Sequence, residues 1–182
     1  MSNNLPEPSK TSRQAEAGFT LIEATVAIMV LMIGLLGMAG AISYSVAQGT
    51  YSRNVTDSKM MIVAVEEQLE TVKISKKLTY GQIANVGQVD NQGVPPGQEF
   101  GGFLNGFQPV MADPGPDNLF GTADDVASSA RPGYQRQIVI TPLSSSLKKI
   151  EITLRYPGLR GQTSEIKGVK YLQNDQRANF RR

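Results

Sequence analysis

At 182 residues, with 40% hydrophobic and 19% charged residues, the chain has room for one folded domain beside a membrane segment. Its formal net charge of +2 is too small to argue for a nucleic-acid or anionic-surface partner, although "RANFRR" gathers arginines around Phe180 near the end. Histidine and cysteine are both absent, which removes disulfides, the usual zinc ligands, the commonest general base and any Ser-His or Cys-His nucleophile.

Residues 1–18, "MSNNLPEPSKTSRQAEAG", are polar, contain two prolines and show no apolar period, so they read as a disordered or removed segment. Lys10 and Arg13 favour keeping this end in the cytoplasm, since the next basic residue is Arg53. Residues 19–42 then form a nearly unbroken apolar run. As a helix it rises roughly 36 Å, more than a hydrocarbon core of about 30 Å. An ordinary anchor, or a signal peptide cut near "MAGAIS", accounts for the run but not for Glu23 just inside it. An uncompensated carboxylate there costs roughly 2.5 to 3.5 kcal/mol, so it calls for a partner.

Over residues 43–78 the pattern becomes amphipathic. Tyr51, Val55, Ser58, Ile62, Val65, Leu69 and Val72 recur at alternating steps of four and three, and Glu66, Glu67 and Glu70 occupy the other faces. The pattern predicts one long helix from about Phe19 to the low seventies, with a local cap at Asp57 or Ser58. Residues 79–133 are rich in Gly, Pro, Asn and Asp and read as turns, a length of loop that tends to be functional. Residues 134–182 carry strand patterning, best in "LKKIEITLRYPG", where Ile150, Ile152, Leu154 and Tyr156 alternate with polar residues. "YQRQIVIT" and "SEIKGVKYLQ" flank it, set off by Pro142 with a serine run and by "PGLRG", which predicts an antiparallel meander with a bulge at Gly168. The fold class expected is α+β: a long amino-terminal helix packed on a small antiparallel sheet.

A leader ending in glycine, then "FTLIE", some twenty apolar residues, an amphipathic helix and a short sheet resembles the type IV pilin superfamily. The leader is longer than usual and has no basic residue directly before the glycine. The resemblance spans residues 14–73 and, less closely, 134–172. It implies that a prepilin peptidase cuts between Gly18 and Phe19 and methylates the new terminus. It also implies that Glu23 neutralises the terminal amine on Phe19 of a neighbouring subunit, which suits the electrostatics of a charge held in a membrane. Within the superfamily, "IGLLGMAGA", "EEQLETVK" and "LKKIEITLRYPG" look most like the V-type minor pilins, the pilus-modification proteins, followed by the I-type minor pseudopilins of type II secretion. Gly34, Gly37 and Gly40 lower helix propensity by about 1 kcal/mol each. They mark either close helix packing or, as the family implies, a zone that loosens in the filament.

The segment "DPGPDNLFGTADD" crowds Asp113, Asp117, Asn118, Asp124 and Asp125 together, and no Lys or Arg occurs from Gly101 to Ala130. The sequence therefore predicts a segment kept open by repulsion unless a cation binds. Counting Asp113 as first, Asp117 is fifth, the Leu119 carbonyl seventh and Asp124 twelfth, similar to an EF-hand loop for Ca2+. Asn118 stands where glycine is usual, Gly115 supplies no third ligand, and Asp124 is shorter than glutamate; a solvated acidic turn is the alternative.

The leading functional reading is a non-catalytic minor pilin that enters or initiates a type IV pilus. Its expected partners are the prepilin peptidase, other pilin or pseudopilin subunits and an inner-membrane assembly platform. It would cross the inner membrane once, with its domain in the periplasm before assembly, and no nucleic acid is expected. The alternatives are a minor pseudopilin of a type II secretion system and a membrane-anchored calcium-binding or adhesive module. Neither needs a cofactor, apart from Ca2+ in the last.

Overall fold

The computed structural model describes residues 19–174. The leader expected at 1–18 and the end of the chain from 175 lie outside them. Helix α1 runs from Leu21 to Ile74, and four strands follow: β1 Gln108–Met111, β2 Ala130–Ser144, β3 Leu147–Pro157 and β4 Thr163–Gln173. They form one antiparallel sheet in the order β1-β2-β3-β4, so the expected α+β arrangement of a long helix packed on a small antiparallel sheet is present.

The chain divides into two compact units, the first ending at Ser45 and the second starting at Val46. In the described part of the first unit every side chain is exposed except the half-buried Ala24. Its helix contains an 18-residue window of mean hydropathy 2.4, long and apolar enough to cross a membrane. In the second unit α1 buries Ser58, Ile62, Val65, Leu69 and Val72, the stripe that the spacing predicts. No cap interrupts it at Asp57 or Ser58. Ser58 is fully buried and donates its hydroxyl to the Asn54 carbonyl at 2.6 Å, satisfying itself within the helix instead of starting one.

The helix stops without a glycine. Lys76 adopts φ 55°, its N–H bonds Lys73 O, and the Lys77 N–H reaches back to Val72 O, which closes a Schellman turn. Thr79 and Gln82 then exchange side-chain bonds to each other's backbone N–H, a capping box for the short turn that places Ile83 in the core.

On the sheet, β3 turns Ile150, Ile152, Leu154 and Tyr156 inward, and these meet Leu69, Val65, Phe103 and Leu119 in one core. The bulge expected at Gly168 is not there, because β3 and β4 pair in unbroken register with Ile152 opposite Gly168. Gly168 lies instead where α1 crosses β4: a Cβ there would stand 2.4 Å from Ile62 Cγ2. The registers that do shift lie between Pro109 and Met111 and between Pro142 and Ser144. The loop expected over 79–133 contains β1 and the start of β2. Beyond β1, the edge of β2 is closed by Asn85, whose amide donates to Ile138 O and accepts from Ile140 N. A side chain thus occupies ladder positions that a strand would fill.

Candidate functional site

Two places carry the residues singled out by sequence. At the amino-terminal junction, Gly18 lies outside the described residues. Phe19 is 71% exposed and Thr20 precedes the helix. Thr20 Oγ1 accepts the Glu23 N–H at 3.3 Å, so "TLIE" is also the start of a capping box, a signal that sequence reasoning passed over. The position suits an acid, since the positive end of the helix dipole lies in this first turn. The carboxylate itself is exposed and, among the described residues, meets no cation. Gly34, Gly37 and Gly40 lie within the continuous helix, and a Cβ on any of them would meet nothing within 4 Å. Among the described residues, neither strain nor contact requires glycine at these positions.

The acidic loop is the second place. Its carboxylates are turned onto its own backbone: Asp113 Oδ1 accepts from Gly115 N, Asp117 Oδ1 from Leu119 N, Asp124 Oδ2 from Asp117 N and Asp125 Oδ2 from Gly121 N. Thr122, 4% exposed, directs its hydroxyl at Asp124 Oδ1 at 2.7 Å and at Leu119 O. Asn118 takes φ 56°, the left-handed turn expected of the sixth loop position. Gly115 must be glycine, because its φ is 69° and a Cβ would lie 2.2 Å from Asp124 O.

The loop is nevertheless closed, not held open by repulsion. Its missing cation comes from outside the segment: Arg136 on β2, with its side chain 4% exposed, pairs with Asp125 at 3.6 Å and lies over the Phe120 ring. Burial lowers the Arg136 pKa to about 10, against the pull of Asp125. From α1, Gln68 donates to Asn118 O and accepts from Phe120 N, and Lys77, in the turn just beyond the helix, donates to Asp117 O. An inward-facing arginine in the alternating strand "YQRQIVIT" was the available signal for this closure. Asp117 and Asp124 do oppose each other. Burial raises the Asp117 pKa and the Asp124 charge adds to the rise; for Asp124, burial acts the same way but is outweighed by bonds from Thr122 and the Asp117 N–H, which lower it. Among the described residues, no three His, Cys, Asp or Glu side chains gather closely enough to hold a metal ion.

Residues 13–39 match a family model described as the prokaryotic N-terminal methylation motif. The match supports a type IV pilin-like protein. The motif implies processing by a prepilin peptidase and assembly with other pilin subunits, and together with the exposed apolar helix it fits membrane anchoring. Neither a curated protein nor a solved structure matches the chain.

Proposed function

We propose that the chain is a minor pilin of the V-type, cut between Gly18 and Phe19, methylated on Phe19, and built into a type IV pilus as a structural, non-catalytic subunit. The observation that supports this most is the methylation motif over residues 13–39 leading into an apolar helix with no packing partner of its own within the described unit. Glu23 carries assembly by pairing with the Phe19 amine of a neighbour, and Gly34, Gly37 and Gly40 form the stretch of helix that loosens as subunits leave the bilayer. Before assembly the domain sits in the periplasm. The I-type pseudopilin reading shares this chemistry and differs in the machine joined, which co-purification with pilus or secretion components distinguishes. Terminal-peptide mass analysis after expression with the peptidase tests the core of the proposal. The expected species begins at N-methylated Phe19; a mature chain beginning elsewhere would sink it.

A second reading attaches to the acidic loop and rests on the spacing of Asp113, Asp117, the Leu119 carbonyl and Asp124, with Asn118 left-handed at the sixth position. A calcium ion bound between those carboxylates would relieve their repulsion. At a hundredfold excess over its dissociation constant it would stabilise the domain by about 2.7 kcal/mol. The check is the melting midpoint in calcium, magnesium and chelator, with Asp117→Ala and Asp124→Ala abolishing the calcium response. Equal midpoints in calcium and chelator return the loop to a turn closed by Arg136 and its own backbone.

A further inference from the structure

The pole of the second unit around Tyr51, Arg53 and Asn54 of α1 carries a concentration of arginine that net charge did not foreshadow. Asn54 holds it together, donating from Nδ2 to Pro157 O at 2.8 Å and accepting from the Tyr134 hydroxyl at 3.1 Å, while Tyr51 and Tyr156 pack with ring centroids 6.3 Å apart. These contacts bring the start of β2 and the end of β3 to the same end of the helix. Arg53, Arg131 and Arg160 are all exposed there. Arg155 is half-buried, stacked over Phe107 and bonded to Glu165 at 2.6 Å. Between Arg131 and Arg155 opens a cleft of about 490 Å³, also lined by Tyr134, Gln135 and Thr163. Among the described residues the acidic neighbours are Glu165 and Asp57, the latter acting on Tyr134 together with Arg131, so the arginines outnumber the carboxylates named here.

Chain length limits how far Arg53 can lie from the membrane segment. It is eight residues past Ser45, so it stays within about 29 Å of that residue however the chain bends. The lysines at the far end of α1 begin at Lys73, roughly 30 Å further along the helix, and are not constrained in this way. Guanidinium forks match phosphate oxygens bidentately, tyrosine favours the membrane interface, and each basic residue near an anionic leaflet contributes about 1 kcal/mol. We infer that Arg53, Arg131 and Arg160 form a contact surface for the headgroup phosphates of anionic phospholipid in the membrane that the apolar helix crosses. The inference rests on the membrane-anchoring reading.

The test uses the full chain inserted in vesicles of phosphatidylcholine with or without phosphatidylglycerol, reading amide hydrogen exchange over residues 131–135 and 159–163 and resistance to carbonate extraction in parallel. In phosphatidylglycerol vesicles exchange slows about fivefold for each arginine engaged, the equivalent of 1 kcal/mol, and raised salt reverses it. The triple variant Arg53→Gln, Arg131→Gln, Arg160→Gln loses the protection but still resists extraction. Equal exchange in the two lipids overturns the inference. Protection by inorganic phosphate in phosphatidylcholine vesicles would instead mark a free-anion site. Protection that follows protein density in both lipids would mark a protein contact. A chain extracted by carbonate refutes the anchoring reading itself, an outcome distinct from an anchored chain that ignores the headgroup.

Discussion

The two ends of α1 obey the same helical geometry and opposite rules of burial. From Leu21 to Ser45 nearly every apolar side chain faces outward, with Leu36 73% exposed, whereas beyond Val46 the stripe through Val65 and Leu69 is essentially sealed. Exposed apolar surface on this scale needs a bilayer or other subunits to cover it. The contrast assigns folding energy to the second unit and leaves the first with apolar surface for a bilayer or other subunits to cover, and substitutions divide accordingly.

The largest expected loss of stability comes from Arg136→Met, which strands the nearly buried Asp125 without its counter-charge and should cost the domain about 3 to 5 kcal/mol. Adding Asp125→Leu should recover most of it; a double variant as unstable as the single one would mean that Arg136 acts through packing. Leu69→Ala should cost about 2 to 5 kcal/mol by opening a cavity in the core, against less than about 0.5 kcal/mol for Leu35→Ala in the exposed half. Denaturant midpoints of both variants in detergent check the contrast directly, and equal losses would break it. Gly168→Ala should cost about 1 to 3 kcal/mol, since its methyl would collide with Ile62 where α1 crosses β4. Ile62→Ala on top should relieve the collision, giving a double variant more stable than the sum of the two losses predicts.

How much of this was legible in the sequence depends on the range of the interaction that decides each feature. The stripe from Tyr51 to Val72 and the alternation from Ile150 to Tyr156 are local periodicities, and both emerge as the core. Features set by tertiary contact were not legible. β1 is four residues with a proline and exists because β2 offers it an edge. Gly168 looked like a bulge because a glycine in a strand has two physical explanations, and only the position of Ile62 chooses between them. The helix end at Lys76 has no glycine to announce it. At the site, charge crowding in the loop was plain, but its resolution through Arg136 depended on a strand pairing beyond the loop. Glu23 could be singled out because a carboxylate in an apolar run is anomalous on any reading. Its place in the first turn then supplied a second explanation, helix capping, that must be separated from assembly.

That separation is the most direct test of assigning assembly to the first unit. Glu23→Gln removes the charge but preserves the size and the third-position amide that a capping box accepts. The quantity to measure is the amount of this variant in sheared filaments relative to the amount in the membrane fraction, against the unaltered chain in the same cells. The account predicts normal membrane levels with little or no filament incorporation, because the partner for the Phe19 amine is gone. Incorporation at the unaltered level would show that Glu23 only starts a helix, and would contradict the proposed pairing.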